Sequence, residues 1–305
     1  MLQSEPIPLQ ILSHSLLNER RVHVAVLRLD KIHPVVSGNK FYKLKYNLEE
    51  AKRLEEKTLL TFGGAFSNHI YATASAAKLA GFQSIGIIRA EDADKGNPTL
   101  AHAQTMGMEL HFISRESYRQ KNSPEFLKNL KAQFGDFYLI PEGGTNEFAI
   151  KGTKEIMSDS YSEFTHICVS IGTGGTFAGL AASIKSHQSL IGFSSLKGEF
   201  IHEEISNLLE TNKIQTKASH EIRTEYHFGG YGKHKKELIN FMGWFYEEFK
   251  MPLDPIYTGK MVFGTWDLIE KNHFPPNSKV LLIHTGGLQG NTGFAAKTGI
   301  DLPIL

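Results

Sequence analysis

VSIGTGGTFAGL (169–180) reads as a strand that runs into a glycine-rich turn and then a helix. The run HICVSI (166–171) that leads into it is almost unbroken in apolar character, which suits a strand covered on both faces by helices rather than one with a wet side. Gly172, Thr173, Gly174, Gly175 and Thr176 then stand between strand and helix. Bare backbone amides at a helix start form an anion site. Glycines let the main chain approach a phosphate closely, and threonine hydroxyls can donate further hydrogen bonds. The spacing is not that of a P-loop, nor a clean G-x-G-x-x-G with an acidic residue at the right distance, so a monophosphate fits better than a dinucleotide. Such a turn taken alone is equally a structural strand-to-helix connection.

Working outward, short β-rich runs recur at 23–29, 58–62, 84–90, 110–114, 137–140 and 279–284, alternating with segments of helical period. That rhythm predicts a parallel α/β architecture. SNHIYATASAAKLAG (67–81) carries Ala and Leu at helical spacing and stops at Gly81. Two further glycine turns follow strands: TFGGAFSNHIYA (61–72), with Ser67, Asn68 and His69 at a helix start, and LLIHTGGLQGNTGF (281–294), with Thr285 at the carboxyl end of the last strong strand. Ligands of open α/β sheets sit at the carboxyl ends of strands, so three such turns predict one convergent site. The charged stretch 115–135 reads as a solvated helical connection.

At 305 residues and 41% apolar the chain can fill two domains. Thirty-three Lys and Arg against thirty-two Asp and Glu give +1, which argues against nucleic acid or an anionic membrane as partner. Cys168 is the single cysteine, so no intrachain disulfide can form, and the fourteen histidines lack metal-ligand spacing, so no metal is expected. The opening MLQSEPIPLQ has no charged-then-apolar signal pattern, and no apolar run is long enough to cross a bilayer. A cytoplasmic protein with a small-molecule partner is the expectation.

SGNKFYKLKYNLEEAKR (37–53) places Gly38 and Asn39 before Lys40 and an amphipathic helix through Leu44, Leu48 and Ala51 after it. A lysine at such a junction is ordinarily solvated. The motif, however, resembles the cofactor-lysine motif of the 1-aminocyclopropane-1-carboxylate (ACC) deaminase and D-cysteine desulfhydrase family. GGAFSNH, IPEGGTNEFAIKG, GTGGTFAG, FGGYG, DPIYTGK and HTGG follow in that family's order, covering about residues 24–290. The resemblance implies a tryptophan synthase β-like α/β fold of type II, with two open, mostly parallel sheets flanked by helices and pyridoxal 5′-phosphate (PLP) in the cleft between domains. Those domains are expected at 1–51 plus 147–305 and at 52–146, in a homodimer.

By the same resemblance Lys40 holds the cofactor as a Schiff base, its amine neutral in a poorly solvated cationic site. Gly172, Thr173, Gly174, Gly175 and Thr176 cradle the phosphate, helped by Lys43. Asn68 bonds the ring oxygen, while Ser67 and His69 face the substrate carboxylate. Thr285 meets the pyridine nitrogen. A neutral hydroxyl there weakens the ring as an electron sink and suits elimination. Tyr231 and Tyr257 stand over the substrate, the second able to exchange a proton if nearby cations lower its pKa. Ser67, like the two tyrosines, is a candidate for the chemistry itself. Thr258 stands where the deaminases carry a glutamate to the pyridine nitrogen. With SNH and HTGG, that difference points to the D-cysteine desulfhydrase branch, a lyase acting on a small amino acid. Phe41 and Tyr42 replace the family's small residue and arginine. ACC ring opening, and a cofactor-binding protein without turnover, remain the alternatives at this point.

Overall fold

Alternation within the apolar runs explains the architecture. In β2 (His23–Leu27), β7 (His166–Ile171) and β10 (Lys279–Ile283), successive residues serve two different cores. Ala25, Leu27, Ile167, Val169, Leu281 and Ile283 face one; Val24, Val26, Cys168, Val280 and Leu282 face the other. Strands so loaded on both sides must be sandwiched by helices. In the computed structural model, which describes residues 2–90 and 97–304, they form the centre of a six-stranded sheet.

Its remaining members are β1 (Leu9–Leu12), β8 (Ser189–Ser194) and β9 (Ser219–Arg223), in the order β1-β2-β10-β7-β8-β9. Only the β1–β2 pair is antiparallel. A second, fully parallel sheet comprises β3 (Thr58–Gly64), β4 (Gln83–Arg89), β5 (Met108–Ile113) and β6 (Tyr138–Ile140), ordered β5-β4-β3-β6. The seven runs expected from sequence all become strands, with ends shifted by a residue or two. β1, β8 and β9 were not expected. Two of them are sheet edges and only partly covered, so their sequences carry little apolar signal.

One core runs continuously between the sheets. Leu44, Leu48 and Ala51 of the helix Asn39–Arg53 are buried in it, together with Leu59 of β3 and Ala72, Ala76 and Ala77 of the helix Asn68–Ala80. At about 25 cal/mol per Å² this shared apolar area, rather than any linker, fixes one sheet against the other. The helix Asn39–Arg53 therefore holds Lys40 at the seam. The charged stretch 115–135 forms helices Arg115–Arg119 and Pro124–Phe134, and it is not merely a solvated connection: Tyr118 and Leu130 are buried under the smaller sheet. Among the described residues no helix is long and apolar enough to cross a membrane.

Candidate active site

Three loops meet because of one glycine. Gly38 has φ +68° and ψ −150°, a region that essentially only glycine occupies. A Cβ built there would lie 1.9 Å from the Thr285 carbonyl oxygen and 2.8 Å from Gly286 Cα. The lysine loop is thereby pressed onto the turn that follows β10, and Asn39 N–H donates to the Thr285 carbonyl at 3.2 Å. Asn39 Nδ2 also donates to Thr176 Oγ1 at 2.8 Å, tying the same loop to the glycine-rich turn after β7.

The loops enclose a cavity of about 440 Å³ lined by Lys40, Lys43, Ser67, Asn68, His69, Gly172, Thr173, Gly174, Thr176, Tyr231, Tyr257 and Thr285 among others. Of the residues expected to bind cofactor or substrate, Gly175 alone is off the wall. It opens the helix Gly175–Ala181, and a Cβ on it would meet Thr145 Oγ1 at 2.9 Å and Lys43 Nζ at 3.1 Å.

Lys40 Nζ lies 3.2 Å from Asn39 Oδ1. Desolvation lowers its pKa to about 8, against a smaller opposing pull from the Asp254 carboxylate. Lys43 is buried and donates to the Gly143 carbonyl (2.9 Å), Thr145 Oγ1 (3.0 Å) and Thr173 Oγ1 (3.3 Å). Burial, and then the Lys40 ammonium, push its pKa well down. The helix that follows Gly174 has no side chain bonded to its first amides, and Gly174 takes φ +80°. Its leading N–H groups have no partner within the helix.

Ser67 accepts from His69 N–H and Ile70 N–H, capping the helix Asn68–Ala80. Asn68 Oδ1 accepts from Gln289 Nε2 at 2.9 Å, a bond between the loops that end β3 and β10. Thr285 Oγ1 lies 3.2 Å from Ser170 Oγ, so two neutral hydroxyls sit side by side.

Three of these positions take a form that the sequence did not specify. His69 lines the cavity, but its ring is committed: Nε2 is 2.8 Å from Thr61 Oγ1 and Nδ1 3.4 Å from Thr73 Oγ1. Burial, then the Lys40 and Lys43 ammoniums, hold it neutral, so the ring offers no positive charge to a substrate carboxylate. Tyr257 does not become more acidic. Its pKa stands well above the ordinary phenol value because burial raises it and the neighbouring Tyr231 phenol and the Asp254 and Glu142 carboxylates push the same way. Thr258 is fully buried and absent from the cavity wall, with its hydroxyl donating to Asp254 Oδ2 at 2.6 Å.

Asp254 is a residue that sequence reasoning missed. Its carboxylate accepts from the N–H groups of Ile256, Tyr257 and Thr258 as well as the Thr258 hydroxyl. It thus fixes Tyr257 at the start of the helix Thr258–Glu270. The signal was present: Asp-Pro is a turn-initiating pair, and an aspartate side chain there readily accepts from the main-chain N–H groups that follow it. Arg89 and Glu142 also line the cavity and were not anticipated. The Tyr231 ring, 45% exposed, stands 6.1 Å from that of Tyr257 at an angle of 64°.

The donor set suits PLP. It offers an amine near its neutral range, an uncapped helix start beside the buried Lys43 amine for a phosphate, and a glycine wall in which a Cβ on Gly172 would sit 3.0 Å from the Tyr257 ring.

Comparison with known proteins agrees. The model of the family described as pyridoxal-phosphate dependent enzyme matches residues 5–286. A Pyrococcus abyssi protein named "Putative 1-aminocyclopropane-1-carboxylate deaminase" is 32% identical over 89% of this chain and 86% of its own length. The Arabidopsis thaliana bifunctional D-cysteine desulfhydrase/1-aminocyclopropane-1-carboxylate deaminase is 30% identical over 84% of this chain and 70% of its own. A crystal structure titled as an ACC deaminase homologue superposes with TM-score 0.83 at 29% identity, covering 97% of this chain and 94% of that one.

Proposed function

Because the chain belongs to the pyridoxal-phosphate dependent enzyme family, among relatives named for ACC deaminase and D-cysteine desulfhydrase, we propose that it acts on D-cysteine. In that reaction D-cysteine and water give a 2-oxo acid, ammonia and sulfide. The observation that carries this reading is the Thr285–Ser170 hydroxyl pair at the carboxyl ends of β10 and β7. A hydroxyl there does not hold a pyridine nitrogen protonated as a carboxylate would. Position 258 supplies no substitute, since its side chain is turned to Asp254.

Bound PLP supplies an aldehyde that takes up an amine and a ring that withdraws electrons from the bonds at the amino acid's Cα. A weaker sink suffices when the β-carbon already carries a leaving group. ACC has none and needs its ring opened.

In this reading Lys40 is the cofactor lysine, and its Nζ, neutral above about pH 8, can take a proton from carbon. Lys43 and Gly172–Thr176 hold the phosphate. The loop at Ser67 and Asn68 orients the substrate carboxylate through the Ser67 hydroxyl and the main-chain N–H and side-chain amide of Asn68, while His69 supports that loop from beneath. Tyr257, kept protonated by burial, donates rather than accepts a hydrogen bond. Tyr231 covers the substrate from the solvent side. The reading also divides the chain into a domain of 1–51 plus 147–305 and one of 52–146, and takes the protein to be a cytoplasmic homodimer. Light scattering on the purified protein checks the dimer.

The test is a side-by-side assay of sulfide release from D-cysteine and ammonia release from ACC. We expect kcat/KM to favour D-cysteine by about tenfold or more, equivalent to roughly 1.4 kcal/mol. Equal or greater activity on ACC overturns it.

A further inference from the structure

Lys260, in the third position of the helix Thr258–Glu270, is 1% exposed. All its hydrogen bonds run to main-chain carbonyls: His227 at 2.8 Å, Gly230 at 2.9 Å and, more weakly, Ser195 at 3.4 Å. A buried ammonium is costly unless its donors are used, so these carbonyls and the lysine specify one another. Two of them belong to the loop that carries Tyr231, and the third follows directly on β8.

That loop has little regular structure to hold it. Phe228, Gly229, Gly230 and Gly232 all have positive φ, at 51°, 100°, 109° and 67°. Phe228 anchors one end by packing edge-on against Phe263, ring centroids 4.9 Å apart. The loop's own bonds are short-range, from Gly229 N–H to His227 Nδ1, Gly230 N–H to the His227 carbonyl and Lys233 N–H to the Gly230 carbonyl. Beyond Phe228 the bond from Lys260 to the Gly230 carbonyl is therefore its last tie to the body of the protein before Tyr231, whose ring is half-exposed over the cavity.

We propose that Lys260 is the positioning residue for Tyr231: its ammonium pins the 227–230 carbonyls to the end of β8 and so sets the Tyr231 ring against Tyr257. This rests on the reading above, in which Tyr231 covers the substrate. Helix Thr258–Glu270 then supplies both halves of the aromatic pair, Tyr257 at its start and Tyr231 through Lys260 one turn on.

Hydrogen exchange on the PLP-loaded protein tests it separately from activity. In Lys260→Met, the bonded loop amides of Gly229, Gly230 and Lys233 should exchange about tenfold faster or more, while β8 and the rest of the helix keep their protection. Lys260→Gln, which keeps two N–H donors on a shorter stem, should fall between and serves if the Met variant does not fold. Turnover of D-cysteine should fall about tenfold in kcat with the bound-cofactor absorbance retained. Adding Tyr231→Phe to Lys260→Met should then cost less than it does in the wild type, because the ring has already lost its place. Wild-type exchange of the Gly229, Gly230 and Lys233 amides in both Lys260 variants overturns the proposal. If instead the loop loosens while Tyr231→Phe leaves turnover unchanged, Lys260 still holds the loop, and it is the role given to Tyr231 that fails.

Discussion

Replacing Gly38 by alanine should disable the site from a position that touches no substrate. The added Cβ would begin 1.9 Å from the Thr285 carbonyl oxygen, where ordinary contact starts at about 3.4 Å, so the two loops must part by roughly 1.5 Å. A conformation that only glycine favours costs about 1–3 kcal/mol, and the overlap about 1–3 kcal/mol more. At roughly 2.1 cal/mol/K per residue, a chain of 305 residues has an unfolding entropy near 0.6 kcal/mol/K. A loss of about 2–6 kcal/mol then lowers Tm by about 3–10 °C. Lys40 moves with the loop, and a displacement of about 1 Å in a reacting group can cost about 10²-fold in rate. Gly81→Ala is the control. It too has positive φ, +80°, but nothing lies within 4 Å of its Cβ position. That variant should lose only about 1–2 kcal/mol and keep full turnover. Thermal melts and D-cysteine kinetics on both proteins decide the matter. Gly38→Ala with wild-type cofactor absorbance and turnover within about twofold would refute the reasoning.

Four other outcomes are expected. Lys40→Ala should lack the absorbance of covalently held cofactor, whereas Lys43→Ala should keep it with affinity lowered by about 1.5–3 kcal/mol, the worth of a charged hydrogen bond. Borohydride trapping and peptide mapping should find the adduct on Lys40, and an adduct on Lys43 would reverse the assignment. Because burial lowers Lys40 to about 8, its neutral fraction rises about tenfold per pH unit below that value and then levels. The rate of PLP uptake by the cofactor-free protein should follow the same curve. Tyr257→Phe should lower kcat by about 10²-fold or more yet leave the shape of the pH profile between about 6 and 9 unchanged, since the phenol stays protonated there; loss of a limb in the variant would show that Tyr257 titrates. Asp30→Asn should destabilise by about 3–5 kcal/mol, because it leaves the buried Arg28 guanidinium (2.6 Å from Asp30) without its partner. Burial alone would raise the Asp30 pKa, but His284 and Arg28 outweigh it. The folded value is thus below 3.8, so this stability is complete above that pH and lost as pH falls, which acid titration of wild type against variant will read.

Elements dense in one kind of signal were legible in advance. HICVSI is apolar on both faces and became a central strand with the expected bounds. SHEIR (219–223) carries two charges and a histidine and pairs only at the rim of the sheet, so nothing in its composition separates it from a loop. The glycine turns betrayed the convergence of the site, because glycine is required where chains press together, as at Gly38. The protonation of Tyr257 and the commitment of the His69 ring were not legible, since both depend on what tertiary packing removes from water. Lys260 is the extreme case: its partners are main-chain carbonyls 30, 33 and 65 residues away in sequence, groups that every residue possesses and no motif can mark.

The strand β10 lies between β2 and β7, with Ile283 paired to Leu27. A ribosome adding about 5–20 residues per second needs roughly 13–50 s to travel the 256 residues between them. Throughout that interval β2 presents an unpaired apolar edge, joined by β7 once that strand has been made, and Gly38 has no Thr285 to rest on. Loading of the cofactor therefore waits until Thr285 has been made. A nascent chain halted before residue 285 would be colourless in the presence of PLP, and its two open edges would be natural targets for a chaperone.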